Sequence, residues 1–173
     1  VIERELAKHI VVVPEAASIL LGGGFPYNKT SNRLRHQQRA IYYLQVELEN
    51  MISQENHKKI IICDRGTVDT MAYWPGSSTG FLKSLATTID KELGRYDWVI
   101  HLSTPPSSSY SYKNPIRRES PIEAEVLDEK IKEAWKDHRR RVIIPSSHSF
   151  AEKLTKTLEI IKDIIEAKCP KAG

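Results

Sequence analysis

The sequence predicts an α/β fold with a parallel sheet and helices on both of its faces. Four short runs rich in β-branched residues, Ile10 to Val13, Lys59 to Cys63, Asp97 to Leu102 and Val142 to Ile144, read as strands. Helical segments fill the intervals between them, the alternation expected of a parallel sheet. No internal repeat and no linker-like boundary interrupts the chain, so residues 1–173 are expected to form one domain.

Val1 to His9 is charged and helical in character, and it opens without an N-cap or an initiating Met. It is expected to be a helix cut off at its front. Pro14 stops the first strand, and Glu15 to Leu21 resumes helical character until Gly22-Gly23-Gly24 ends it. After a loop from Phe25 to about Ser31, Leu34, Ile41, Leu44, Leu48 and Ile52 recur at helical spacing, predicting a long amphipathic helix to about Asn56. The second strand leaves through the polar loop Asp64-Arg65-Gly66-Thr67, and a short helix around Asp69 to Tyr73 closes at Trp74-Pro75-Gly76. Thr79 to Leu93 reads as one further helix. Ser103 to Glu119, rich in Ser, Pro and Tyr, is too long for an ordinary connection and has the character of a functional loop or lid. Ser120-Pro121-Ile122-Glu123 is a capping box with Pro at the first helical position, starting a helix that runs through Val126, Leu127, Ile131 and Trp135. Ser149 with Glu152 repeats the capping box before a last helix whose apolar face is Phe150, Leu154, Leu158, Ile161 and Ile165.

Composition narrows the class. Apolar residues at 40 % and charged residues at 28 % are ordinary globular values and exclude a disordered or collagen-like chain. The longest apolar runs are far too short to span a membrane and no signal peptide opens the chain, which predicts a cytoplasmic protein. Cys63 and Cys169 have no partner spacing for a disulfide framework or a zinc site and are expected to be plain thiols. The net charge of +4 suits phosphate-bearing ligands. Basic residues are dispersed and no aromatic platform accompanies them, so no specific nucleic-acid partner is expected.

Six segments, in this order, resemble one family. They are strand-Pro14-Glu15-Ala16, Gln45-x-Glu47-Leu48-Glu49, Cys63-Asp64-Arg65-Gly66-Thr67-x-Asp69, Arg95-Tyr96-Asp97, Asn114-x-x-Arg117-x-Glu119-Ser120 and Ala134-Trp135-x-x-His138. Together they resemble the small AAA-type P-loop NTPase and kinase-like proteins that include the TRP-channel-interacting NTPase of animals. The resemblance implies a three-layer P-loop fold similar to thymidylate and deoxynucleoside kinases, with strand order 2-3-1-4-5. One departure stands out: no G-x-x-x-x-G-K-S/T occurs in the 173 residues. The chain is therefore expected to begin just after the P-loop, with ~15 residues upstream that carry a strand of about 5 and the phosphate-binding loop. Without that central strand, the strands at Lys59 and Asp97 would have no partner between them.

Chemistry is expected at the carboxyl ends of the strands, where open α/β sheets bind ligands. Glu15 stands at such an end. The resemblance implies a general base or substrate anchor for a hydroxyl attacking a γ-phosphate, against the plainer reading of a helix N-terminal Glu. Asp64 can hold Mg²⁺ directly or through water beside Arg65, whose guanidinium can grip phosphate oxygens. Gln45 is assigned to a hydrogen bond with a substrate base or hydroxyl, against the equal reading of a satisfied helix Gln, and Asp69 to substrate binding. Lys113, Arg117 and Arg118 can close over a triphosphate as a lid at about residues 103–120. Ser146, Ser147 and His148 fall where this fold wraps the nucleotide base. The expected ligands are ATP or GTP with Mg²⁺. The activity expected is phosphoryl transfer to a small hydroxyl-bearing, nucleoside-like acceptor; the alternative is an NTPase or nucleotide-dependent binding module whose partner is a protein or an anionic lipid.

Overall fold

The computed structural model describes residues 2–26, 30–104, 120–146 and 149–168. Among these, β1 (Ile10–Val13) pairs in parallel with β2 (Ile60–Cys63), and β3 (Val99–Leu102) pairs in parallel with β4 (Arg141–Ile144). The two pairs are separate two-stranded sheets, β1-β2 and β3-β4. In the order 2-3-1-4-5 that the resemblance implies, the same two pairs would flank the first strand. The expected strands and their parallel sense therefore hold.

Eight helices fill the described intervals: α1 (Ile2–Leu6), α2 (Ala16–Gly22), α3 (Ser31–Glu55), α4 (Asp69–Ala72), α5 (Ser78–Ser84), α6 (Ile89–Leu93), α7 (Pro121–Ala134) and α8 (Phe150–Lys168). Side chains alternate across a strand with period two. Ile10 and Val12 of β1, Ile60 and Ile62 of β2 and Ile100 of β3 accordingly meet Leu6, Ile161 and Ile165 in one apolar cluster. α8 thus shares one cluster with residues of both strand pairs. On the opposite face Cys63 reaches Glu49 of α3, while Val68, Ala72, Leu93, Ile131 and Trp135 form a second cluster between α4, α6 and α7. Burial, then the charge of Glu49, push the Cys63 thiol up to about 12, so it stays protonated at neutral pH.

Both capping boxes form. Ser120 Oγ accepts from the Glu123 N–H while the Glu123 carboxylate accepts from the Ser120 N–H, and Ser149 with Glu152 repeats the exchange. The stretch read as one helix from Thr79 to Leu93 is instead two, α5 and α6. Ala86 at φ 52° ends α5, with the Ala86 N–H bonded to the Lys83 carbonyl and the Thr87 N–H to the Leu82 carbonyl. That is the left-handed helix stop most often built on Gly, here on Ala. Thr88 then caps α6, its hydroxyl accepting from the Lys91 N–H. Most of the expected lid, residues 105–119, lies outside the described residues.

Candidate functional site

Ladder bonds carry the site residues to one edge. The Asp64 N–H donates to the Val13 carbonyl at 3.0 Å, extending the β1-β2 pairing one residue past β2, while Pro14 and Glu15 leave β1 alongside. Glu15, Asp64, Arg65 and Asp69 gather there. Arg65 Nε lies 3.9 Å from Glu15 Oε1, and Arg65 Nη1 lies 3.7 Å from Asp69 Oδ1. Both are ion pairs too long to be hydrogen bonds. With 43 % of its side chain accessible, Arg65 keeps donors free for an incoming anion.

The backbone bends sharply to achieve this. Arg65 has φ 82°, a conformation that costs a non-Gly residue on the order of 1–3 kcal/mol. Several contacts offset the strain. Gln45 Nε2 donates to the Arg65 carbonyl at 3.0 Å and to Glu49 Oε1 at 2.9 Å. The Gly66 N–H donates to Asp69 Oδ2 at 2.7 Å, and the Thr67 N–H donates to the Tyr96 hydroxyl oxygen at 2.7 Å. Tyr96 in turn donates to Glu49 Oε1 at 2.7 Å, and Arg95 bonds Glu49 Oε2 at 2.5 Å. Thr67, fully buried, donates to Glu92, which also accepts from Tyr42 and Thr87. Trp135 packs edge-on against Tyr96 at 5.2 Å and hydrogen-bonds the Asp69 carboxylate. Five of the six segments on which the family resemblance rests, the one that carries residues 64–69 included, therefore meet here.

Electrostatics follow from the crowding of three carboxylates around one guanidinium. Burial, and then the charge of Glu15, push the Asp64 carboxyl up. Burial likewise raises Asp69, against the pull of Arg65 and the Gly66 N–H. For Arg65 burial opposes the charged form, and Asp69 and Tyr73, followed by Glu15 and Asp64, outweigh it and push its pKa up. An excess of negative charge with oxygen donors suits a hard divalent cation. No group of three or more His, Cys, Asp or Glu converges on one point among the described residues.

Gly66 is where this scaffold is tightest. A Cβ there would meet Trp135 Cζ2 at 2.8 Å and Tyr96 Cζ at 3.0 Å, and both rings are pinned by the bonds just described. Gly66→Ala is expected to cost about 1–3 kcal/mol, read as a lower urea midpoint. Gly22→Ala, with nothing within 4 Å of the new methyl, is the matched control. Equal midpoints for the two variants would show that the rings yield.

Of the sequence-predicted residues, Gln45 and Asp69 are buried and committed to bonds within the scaffold, so they reach the site by shaping the loop that carries Arg65. Ser146 stands elsewhere. It lines a cavity of about 330 Å³ with Ser103, Thr104, Asp128 and Lys132 beyond the ends of β3 and β4. There Asp128 accepts from Thr104 and Lys132 and pairs with His101. Burial alone would raise the Asp128 carboxyl, yet His101, Lys132 and the Thr104 N–H hold it well below the usual carboxylate range. Nothing in the sequence marks Asp128 or Glu92, which sit on helices among ordinary charged residues, while Glu49 stands out only through the segment that carries the resemblance. Lys113, Arg117, Arg118, Ser147 and His148 lie outside the described residues. No helix among the described residues is long and apolar enough to cross a membrane.

No curated protein matches the chain. The AAA domain family matches residues 2–153, a span that includes both strand pairs, the Glu15–Arg65 cluster and its supporting network. The chain thus belongs to the AAA domain family of P-loop nucleotide-binding proteins.

Proposed function

We propose that this chain forms a single catalytic domain of an ATP- or GTP-dependent phosphotransferase that acts on a small hydroxyl-bearing, nucleoside-like acceptor. The observation that carries the proposal is the gathering of Glu15, Asp64 and Arg65 at one strand edge, with Arg65 in an imposed conformation and partly accessible. A plain structural ion pair needs no strained backbone.

In this reading Glu15 accepts the proton of the acceptor hydroxyl as its oxygen forms a bond to the γ-phosphorus and the bond to the β-phosphate oxygen breaks. Ser18 Oγ donates to Glu15 Oε2, which orients the carboxylate and leaves Oε1 facing Arg65. Arg65 binds phosphate oxygens through charge-assisted hydrogen bonds. Gln45 and Asp69 serve the acceptor side through the loop they hold. Asp64 would hold Mg²⁺, which when bound supplies charge neutralisation on the phosphates. Lys113, Arg117 and Arg118 would close over the triphosphate, and Ser146, Ser147 and His148 would face the base.

The test is turnover of the protein, with whatever its gene encodes upstream of Val1, against a panel of nucleosides, ribosides and small polyols. Acceptor-free hydrolysis and nucleotide affinity are measured beside it. An acceptor that raises turnover well above basal hydrolysis is the expected result. If none does, the phosphotransferase reading gives way to an NTPase or a nucleotide-dependent binding module with a protein or anionic-lipid partner.

A further inference from the structure

Sharing no residue with the Glu15–Arg65 cluster, a second, half-open cavity of about 350 Å³ lies between α3 and the α4–α5 connection with α5. Its charged lining residues are Arg35 and Arg39 on the α3 side, with Trp74, Gly76 and Gly80 opposite and neutral Asn32, Ser77 and Ser84 completing the wall. No carboxylate lines it, and among the described residues neither arginine has an ion-pair partner. Residues four apart share one face of a helix, so Arg35 and Arg39 present two guanidinium groups to the same space. The Arg35 guanidinium lies 5.9 Å from the Trp74 ring centroid, a cation–π contact that leaves its N–H groups available.

The opposite wall is shaped to stay open. Gly76 has φ 135°, which L side chains rarely adopt, and a Cβ there would lie 3.7 Å from Trp74 Nε1. A Cβ on Gly80 would lie 3.9 Å from the same nitrogen. The indole N–H thus sits against two glycines at the cavity wall, with no acceptor among the described residues. Unpaired arginines and an indole donor around one hollow are all donors, and the ligand that satisfies them is an anion with several acceptor oxygens. The volume, at the small end of the roughly 300–1,000 Å³ typical of ligand sites, exceeds what one phosphate group fills.

We propose that this cavity binds the phosphate group of a small phosphorylated molecule. The site is distinct from the Glu15–Arg65 cluster, and the proposal does not depend on the phosphotransferase reading. Arg35 and Arg39 take the phosphate oxygens, Trp74 borders the ligand, and the glycines give it room.

The test titrates the protein with inorganic phosphate, with glycerol 3-phosphate and with glycerol, by calorimetry and by tryptophan fluorescence. Both phosphate probes are expected to give saturable binding, glycerol none, and Trp74→Phe should remove the fluorescence change while Trp98 and Trp135 remain. The double variant Arg35→Gln/Arg39→Gln should weaken binding by at least about tenfold, the worth of a charge-assisted hydrogen bond. Arg139→Gln, an exposed arginine elsewhere, should leave affinity unchanged. Arg35 and Arg39 are exposed, so the double variant should keep the parent's urea midpoint. Overturning results are an absence of saturable binding by either phosphate probe, or a folded double variant that binds both as tightly as the parent.

Discussion

Replacing Glu15 with Gln is expected to lower phosphoryl transfer by roughly 10² to 10⁴, the usual worth of a general base, while nucleotide affinity stays nearly unchanged. The sign of any change in affinity is set by the local charges. Glu15 is one of three carboxylates near Arg65, and neutralising it leaves the guanidinium less countered, which favours an anion. Lost turnover therefore cannot come from lost phosphate binding. Folding is not at stake either: although Glu15 is the N-cap of α2, its side chain makes no capping bond, and the amide oxygen of Gln can still accept from Ser18. Asp64→Asn should behave differently, impairing use of the Mg²⁺-nucleotide with every acceptor and in acceptor-free hydrolysis alike. Transfer by the Glu15→Gln protein at the parent's rate, with hydrolysis also intact, would remove Glu15 from the chemistry.

The largest effect on stability is expected at Glu92. Its side chain is 2 % exposed, and its two oxygens accept from Tyr42 at 2.8 Å, Thr67 at 2.9 Å and Thr87 at 2.5 Å. Glu92→Ala deletes both acceptor atoms, leaves three hydroxyls without their partner and opens a void. Each buried donor left unsatisfied costs ~1–3 kcal/mol, and the total is expected at about 3–5 kcal/mol, since Thr87, the most exposed of the three, can recruit water. Glu92→Gln keeps one acceptor oxygen and should lose less. Urea unfolding of the three proteins reads this directly, and a Glu92→Ala loss under about 1 kcal/mol would mean the hydroxyls find other acceptors. Thr67 belongs to the loop that carries Arg65, so the same substitution should also weaken nucleotide-dependent activity, linking a distant buried carboxylate to the site.

The strands and the capping boxes were legible because each has a local cause. Runs such as Ile60-Ile61-Ile62-Cys63 favour extended backbone whatever surrounds them, and the hydroxyls of Ser120 and Ser149 cap their helices through residues three positions on. The break between α5 and α6 was not legible, because Ala86 carries no signal of a left-handed conformation that Gly would have announced. The site was legible in part. Asp64 and Arg65 follow a strand directly, so the strand fixes their edge, and Glu15 does the same after β1. What Gln45 and Glu49 do depends on a turn of α3 meeting the 64–69 loop across the sheet, a tertiary contact with no periodic trace. Arg35 and Arg39 went unremarked for a similar reason: on an amphipathic helix the polar face reads as solvent-facing until another segment walls it in.

The division into two strand pairs has a consequence for how the molecule behaves in concentrated solution. Among the described residues β2 pairs only with β1, and β3 only with β4, so each pair keeps an inner strand whose outward amide and carbonyl groups meet no ladder partner. Such edges are templates for strand addition, and β2 is hydrophobic along its whole length with no Lys, Pro or bulge to blunt it. A strand inserted between the two pairs would act as a guard as well as a support, because it would withhold these edges from neighbouring molecules.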